Sequence, residues 1–146
     1  MSLADELIYE EGNEPCVYKD SRGFDTIGIG RCVDARVHGA GLTEDERRLL
    51  LDNDISSISR EVFRSWPWSE LLSEPRRCVI FQMIFVMGFH EVQTNWRDTL
   101  TAIQKGDYAT AARHLRSSLW ATQAPARVKR LADQLETGVS QYPNGA

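Results

Sequence analysis

Apolar residues recur at helical spacing along much of the chain. Leu3, Leu7 and Ile8 share one face of a helix and Gly12 follows as a stop signal, so the N-terminus predicts a short helix. Further along, the same spacing predicts helices with inward apolar faces around residues 51–62, 79–87 and 128–135. We therefore expect the larger, C-terminal part of the chain to be mainly helical.

Polar and proline residues mark where several of these helices begin. Thr43 and Glu46 have the spacing of a capping box, in which the side chain of each residue accepts a hydrogen bond from the backbone N–H of the other. Asn95 and Asp107 each precede a short stretch of helical pattern, and we expect both to cap helices. Pro125 suits the first turn of the last helix, because proline needs no backbone N–H there.

Two β-prone runs lie between the first helix and the helical region. Residues 17–20 and 24–30 flank a glycine-containing turn, which is the pattern of a β-hairpin. Gly28 and Gly30 weaken the second strand and indicate a bend or a close backbone approach. A hairpin followed by helices predicts an α+β fold, and we expect a single domain over residues 1–146.

Composition narrows the function classes. Of 146 residues, 42% are hydrophobic and 26% charged, as is usual for a globular protein. The formal net charge of −4 argues against a non-specific nucleic-acid binder, so we expect no nucleic-acid partner. The most apolar segment, residues 78–87, is too short to cross a bilayer, and residues 1–12 lack the apolar run of a signal peptide. We expect no stable membrane insertion and a cytoplasmic location.

Cysteine and histidine are too sparse to predict a metal or redox site. The three cysteines are Cys16, Cys32 and Cys78, and neither they nor the three histidines form a close pair. We expect no metal and no cofactor. The thiols are interpreted as buried and reduced.

Glu11, Asp20 and Thr26 lie where the first helix meets the predicted hairpin. A folded-back hairpin would let Asp20 and Thr26 face each other across the turn, with Glu11 opposite. Glycoside hydrolysis uses one acid to protonate the leaving oxygen and a second carboxylate to stabilise positive charge or activate water. A threonine hydroxyl can donate to a carboxylate while it accepts from a water. From spacing alone, such residues are also typical of solvated or capping positions, and both interpretations stay open.

A longer motif surrounds these three residues. The pattern E-x8-D-x5-T-[IV]-G-x-G is met by Glu11, Asp20, Thr26, Ile27, Gly28 and Gly30. In this motif the chain resembles the phage-type (T-even phage-like) lysozymes, a family of N-acetylmuramidases. The resemblance extends over residues 42–55, 75–88 and 106–130, which are similar to the family's first body helix, central helix and C-terminal part.

The resemblance implies a fold, a reaction and a set of roles. The implied fold is a small β lobe and a helical lobe that flank a cleft. The implied reaction is hydrolysis of the β-1,4 bond between N-acetylmuramic acid and N-acetylglucosamine in peptidoglycan. Glu11 is implied to be the general acid, with Asp20 and Thr26 holding the attacking water on the opposite side. A hydroxyl beside the second carboxylate favours an inverting mechanism over a glycosyl-enzyme intermediate.

Four further residues match supporting positions of the family. Arg127 matches an arginine that approaches the catalytic glutamate from the last helix, although it could also be an ordinary exposed cation. Phe85, Thr99 and His114 match positions that contact sugar or peptide. Phe85 could equally belong to the core, and His114 could be a solvated helix residue.

Two departures from the family pattern bear on the site. Arg31 stands where a histidine is found in the family, and Asp54 matches that histidine's partner, so an Arg31–Asp54 pair could replace the usual one. Val86 occupies a position where a polar residue is common, so subsite preferences cannot be transferred.

The resemblance also implies a biological role, which has two rivals. The expected role is that of an endolysin that releases phage progeny, acts as a monomer and depends on a phage-encoded pore, a holin, to reach the wall. One rival is a peptidoglycan-binding module with little turnover, which would not need an acid and a water-holding pair. The other is a tail-associated lysozyme, for whose fused structural domain 146 residues leave no room.

Overall fold

The computed structural model describes residues 2–143 and consists mostly of helices, with one small sheet near the N-terminus. It divides into two compact units, Met1–Leu51 and Asp52–Ala146, termed here the N-terminal and C-terminal units. The elements are α1 (Leu3–Glu11), β1 (Glu14–Lys19), β2 (Asp25–Gly28), β3 (Arg31–Cys32), α2 (Glu44–Ser65), a 3-10 helix (Pro67–Leu71), α3 (Glu74–Met87), α4 (Phe89–Asn95), α5 (Arg97–Gln104), α6 (Tyr108–Arg116), α7 (Leu119–Gln123) and α8 (Pro125–Thr137).

Helix α1 ends at the predicted Gly12 and begins with a capping box that was not predicted. The Ser2 hydroxyl accepts a hydrogen bond from the Asp5 amide at 3.3 Å, and the Asp5 carboxylate accepts from the Ser2 amide at 2.7 Å. Gly12 ends the helix with φ of 79°, a backbone conformation that favours glycine. The helix has no buried residue, and the side chain of Leu3 is 69% exposed.

The predicted hairpin is confirmed and gains a third strand. The sheet is antiparallel with the order β1-β2-β3, and Thr26 at its centre is paired with Tyr18 on one side and Cys32 on the other. Strand β3 has two residues, too few to show an alternating pattern. The buried residues that the structure describes in the N-terminal unit are both polar: Thr26 and Asp34.

The start of α2 confirms the predicted capping box. The Glu46 carboxylate accepts from the Thr43 amide at 2.8 Å, and the Thr43 hydroxyl accepts from the Glu46 amide at 3.2 Å. Glu46 also forms an ion pair with Arg31 at 2.6 Å. The sequence hypothesis assigned Arg31 to Asp54 instead. The Glu46 carboxylate is already held in place by the capping box, so it offers Arg31 an ordered partner.

The C-terminal unit contains the apolar core. Its central helices are α3 and α8, whose predicted inward faces are confirmed, and its large buried side chains include Ile80, Met83, Ile103, Leu115, Leu131 and Leu135. Within residues 2–143, no helix combines the length and the hydropathy that a membrane span needs. The same residues bring no three His, Cys, Asp or Glu side chains together in a group suited to a metal ion.

Several expectations for local structure were wrong. On α2, Leu51 and Ile55 were expected to face inward but are 37% and 46% exposed, while Val62 is buried as expected. Asn95 does not cap a helix: it is the last residue of α4, and its amide donates to Glu91 at 2.9 Å within that helix. Helices α4 and α7 were not expected, because helices of seven and five residues are too short to display a periodic face. Cys16, interpreted as buried, is exposed on β1. Asp107 does cap α6 as expected, accepting from the Thr110 amide at 3.1 Å.

Candidate active site

The turn between β1 and β2 is organised around the Asp20 carboxylate. Its Oδ1 accepts hydrogen bonds from the backbone amides of Arg22 at 2.8 Å and Phe24 at 2.9 Å. The backbone closes the same turn, because the Asp20 amide donates to the Phe24 carbonyl and the Gly23 amide donates to the Asp20 carbonyl. The sequence places a short polar side chain where it can bond its own turn, and this fixes the carboxylate's direction.

The same contacts keep Asp20 ionised. The Phe24 N–H contributes most to holding the pKa of Asp20 below its usual range, although partial burial acts in the opposite direction. The Arg22 amide and guanidinium lower the pKa further, and the guanidinium lies 3.8 Å from Oδ2. A carboxylate that stays charged is suited to stabilise positive charge or accept a proton from water, and unsuited to act as an acid.

Thr26 lies two residues beyond Phe24 and is only 4% exposed. Its hydroxyl donates to the Phe24 carbonyl at 3.1 Å. The sequence reasoning allowed the hydroxyl to donate to a carboxylate, and in the structure it does not. Because a hydroxyl has a single proton to donate and Thr26 gives it to Phe24, Thr26 can only accept a hydrogen bond from an incoming water. Asp20 lies opposite Phe24 and Tyr18 opposite Thr26, so the strand alternation puts Asp20 and Thr26 on one face as diagonal neighbours.

Glu11 ends α1 and lies against the turn that joins β2 to β3. A Cβ placed on Gly30 would be 2.7 Å from Glu11 Oε2 and 3.0 Å from its Cδ, closer than real side chains approach. Gly30 also has φ of 67°, so its backbone is one that favours glycine. The close approach expected from the glycine pattern is therefore real, and the Glu11 carboxyl is what approaches.

The N-terminal unit thus contains all three residues that the motif singled out. Asp20 and Thr26 are held around the peptide groups of Phe24, while Glu11 is seated on Gly30 at the next turn of the same small sheet. Two carboxyl groups, one of them held ionised, and an accepting hydroxyl can together protonate a leaving group and direct a water. The catalytic roles of these residues stay predictions.

In the C-terminal unit, the structure brings Thr99 and His114 together across 15 positions of sequence. The Thr99 hydroxyl lies 3.3 Å from His114 Nδ1, and Thr99 is only 3% exposed. Both line a cavity of about 550 Å³ whose other lining residues are Thr94, Asn95, Trp96, Arg97, Asp98, Ser117 and Ser118. A cavity lined mainly by polar residues is suited to a ligand with hydroxyl and amide groups. Substrate contact there stays a prediction.

Arg127 and Phe85 have different settings in that unit. Arg127 donates through Nε at 3.2 Å and Nη2 at 3.1 Å to Gln82 Oε1, which also accepts from the Tyr142 hydroxyl at 3.1 Å. The guanidinium is therefore oriented by a built network, and the alternative of an ordinary exposed cation does not fit. Phe85 is 51% exposed, which excludes the core alternative. The roles of both residues toward substrate stay predictions.

Sequence reasoning missed two polar residues that orient others. Gln82 interrupts an apolar run of α3, and that interruption was a usable signal for a buried polar contact. Asp34 had no comparable signal, because it lies in a loop and the bond that joins it to the hairpin is to a backbone amide nine positions away. It is 3% exposed and accepts from the Asp25 amide at 3.0 Å.

Comparison with known proteins decides the family. The family model described as Phage lysozyme matches residues 9–135. The chain belongs to the phage lysozyme family. That membership agrees with the lysozyme-like α+β architecture and makes the protein a glycoside hydrolase of the muramidase type, with peptidoglycan as its substrate.

Relatives of this phage lysozyme family member occur in Dictyostelium discoideum and in a phage. Two proteins of Dictyostelium discoideum, named "Probable T4-type lysozyme 1" and "Probable T4-type lysozyme 2", are 28% and 29% identical to it, and each alignment covers 94% of this chain and 95% of the relative. "Pre-baseplate central spike protein Gp5" of Enterobacteria phage T4 is 26% identical over 94% of this chain but only 28% of that protein.

Proposed function

We propose that the protein hydrolyses the β-1,4 bond between N-acetylmuramic acid and N-acetylglucosamine by a single displacement at Glu11, Asp20 and Thr26. The observation that supports this most is the shared anchoring of Asp20 and Thr26 on the Phe24 peptide groups, which leaves a carboxylate oxygen and a hydroxyl lone pair on one face of the hairpin. Such a pair can receive the two protons of one water.

In the proposed reaction, Glu11 donates its proton to the glycosidic oxygen as the C1–O bond breaks. Water attacks C1 from the opposite face, and one of its protons passes to Asp20, whose Oδ1 already accepts two backbone N–H groups and whose Oδ2 takes the new bond. The other water proton points at Thr26 Oγ1. Because the low pKa keeps Asp20 charged, it also stabilises the positive charge that develops on the sugar.

Lysis of permeabilised Gram-negative cells tests the catalytic assignment. Glu11→Gln keeps the shape of the side chain but cannot donate a proton as an acid, so clearing should slow by about 10²–10⁴-fold. Glu70→Gln is a matched control, since it makes the same substitution at an exposed residue of the C-terminal unit that belongs to neither the motif nor the cavity. Clearing by a folded Glu11→Gln variant would remove Glu11 from the mechanism. Slow clearing by the wild-type protein itself would favour a wall-binding module.

We further propose that the biological role is host-cell lysis. The protein would accumulate in the cytoplasm of the infected bacterium as a monomer and reach the wall only after a holin opens the membrane. Expression in a bacterium with and without a separately inducible membrane pore tests this. Rapid lysis only after pore induction is expected, while lysis without it would show that the protein reaches the wall by another route.

The match to a spike protein favours a second role. Gp5 contains a region similar to nearly all of this chain, although that region is a minor part of Gp5. The chain could therefore open the wall during entry, as part of a particle. Mass spectrometry of purified particles separates the two roles: stoichiometric presence in particles supports entry, and presence only in the lysate supports release of progeny.

A further inference from the structure

Asp34 is a buried carboxylate in the loop that follows β3. It is 3% exposed, yet it belongs to neither the motif nor the mechanism proposed above. Its two oxygens take four hydrogen bonds: the amides of Asp25 and Arg36 donate at 3.0 and 2.9 Å, and the Arg36 guanidinium donates through Nε at 2.8 Å and Nη2 at 2.6 Å. A buried charge is tolerated because every lone pair has a donor.

Arg36 extends this contact to the Asp20 turn. Its Nη2 also donates to the Gly23 carbonyl at 3.0 Å. Its guanidinium lies 5.3 Å from the centre of the Phe24 ring, which has the Arg22 guanidinium at 5.2 Å as well. Together, Asp34 and Arg36 therefore hold the Gly23 carbonyl, the Phe24 ring and the Asp25 amide.

Phe24 is the residue on which the proposed catalytic groups depend. Its amide donates to Asp20, and its carbonyl accepts from both the Asp20 amide and the Thr26 hydroxyl. One short segment, residues 23–25, is thus bonded to the catalytic pair on one side and to the Asp34–Arg36 pair on the other. Displacement of this segment would misplace Asp20 and Thr26 together.

We propose that Asp34 and Arg36 are positioning residues for the reaction, which hold the Gly23–Asp25 backbone so that Asp20 and Thr26 keep their directions. The proposal rests on the proposed function, because it needs Asp20 and Thr26 to act on substrate. Buried ion pairs are weak evidence for stability in general, and here the pair orients two backbone groups next to the reactive ones.

Two variants test the proposal, with a matched control. Arg36→Met removes the guanidinium from a largely exposed side chain, and Asp34→Asn removes the buried charge. Arg47→Met also removes a guanidinium from the N-terminal unit, but one that bonds the Leu42 carbonyl at 2.7 Å and has no contact with the Gly23–Asp25 segment. Misplacement by about 1 Å can cost up to roughly 10²-fold, so the first two variants should lower kcat on soluble peptidoglycan fragments by about ten- to a hundredfold. Arg47→Met should not.

The pKa of Asp20, measured by NMR titration of its carboxyl carbon, separates positioning from simple charge effects. Loosening the segment weakens the Phe24 N–H bond, so both Arg36→Met and Asp34→Asn should raise that pKa. A long-range charge effect would raise it in Arg36→Met and lower it in Asp34→Asn. The neighbouring cation Arg22 remains in every variant.

Opposite shifts in the two variants, or a folded Arg36→Met with unchanged kcat and unchanged Asp20 titration, would overturn the proposal. If Asp34→Asn does not fold, Arg36→Met decides by kcat together with amide exchange of Phe24 and Asp25, which should accelerate. Asp20→Ala, tested in parallel, separates this outcome from failure of the proposed function. Full activity of Asp20→Ala would overturn both, whereas an inactive Asp20→Ala beside a normal Arg36→Met would overturn only the positioning role.

Discussion

The two units of the chain bury opposite kinds of side chain. In the N-terminal unit, the buried residues that the structure describes are Thr26 and Asp34. The Thr26 hydroxyl donates to the Phe24 carbonyl, and the Asp34 carboxylate accepts from the Asp25 amide, which follows Phe24. In the C-terminal unit, the buried residues are predominantly aliphatic and lie on packed helices. Hydrogen bonds with preferred directions therefore order the N-terminal unit, and apolar contacts order the C-terminal unit.

This difference fits the proposal that the chemistry takes place in the N-terminal unit. A reaction that needs a water and a proton held in fixed directions requires groups whose orientation is set by directional bonds. The turn at Asp20 supplies such bonds within five residues. Apolar packing is non-directional and supplies stability instead, so substitutions in the two units should affect different measurements.

The largest expected effect on stability lies in the C-terminal core. Leu131 is fully buried on α8, and Leu131→Ala should lower the free energy of unfolding by about 2–5 kcal/mol through lost burial and the cavity left behind. Chemical denaturation measures this. The folded fraction should keep its kcat, and a kcat that falls in parallel would show that the core also orders the catalytic residues.

Gly30 and Gly28 offer a matched pair in the N-terminal unit. Both have positive φ, at 67° and 65°, so an alanine at either should cost about 1–2 kcal/mol of backbone strain. Only at Gly30 would the added Cβ meet Glu11, since nothing lies within 4 Å of the position at Gly28. Gly30→Ala should therefore lower kcat by up to roughly 10²-fold while Gly28→Ala does not. Equal losses of kcat would mean that the Glu11 contact is unimportant.

A smaller effect is expected when the Thr26 hydroxyl is removed. Thr26→Val keeps the branched shape, and the Phe24 carbonyl retains the Asp20 amide as a donor, so stability should change little. Loss of one hydrogen bond to the water should lower kcat by about tenfold. Thr26→Ser, which keeps a hydroxyl, is the control. If the valine variant unfolds at ordinary temperature with normal activity beforehand, Thr26 is structural.

Sequence patterns predicted where long helices lie because those carry caps and periodic apolar residues, although on α2 two residues of the predicted inward face, Leu51 and Ile55, are exposed. The Thr43–Glu46 capping box and the inward face of α8 followed directly from spacing. Strand β3 was missed because two residues show no period, and Asn95 was misassigned because α4 was missed.

The candidate site divides in the same way. A motif of fixed spacing selected Glu11, Asp20 and Thr26, but it could not reveal which partner the Thr26 hydroxyl takes. The Asp34 contacts were beyond prediction for a similar reason: its bond to the Asp25 amide spans nine positions and involves backbone, which carries no sequence signal.

The configuration of the first product tests the proposed water-holding pair most directly. If Asp20 and Thr26 hold a water that attacks opposite the leaving group, the β-linked substrate must give an α-configured reducing end first. Rapid proton NMR of a cleavage reaction, recorded before mutarotation, reads this configuration. An initial α signal that later equilibrates with β is the expected result. An initial β signal, or a sugar covalently attached to Asp20 in mass spectrometry, would contradict the role given to Asp20 and Thr26.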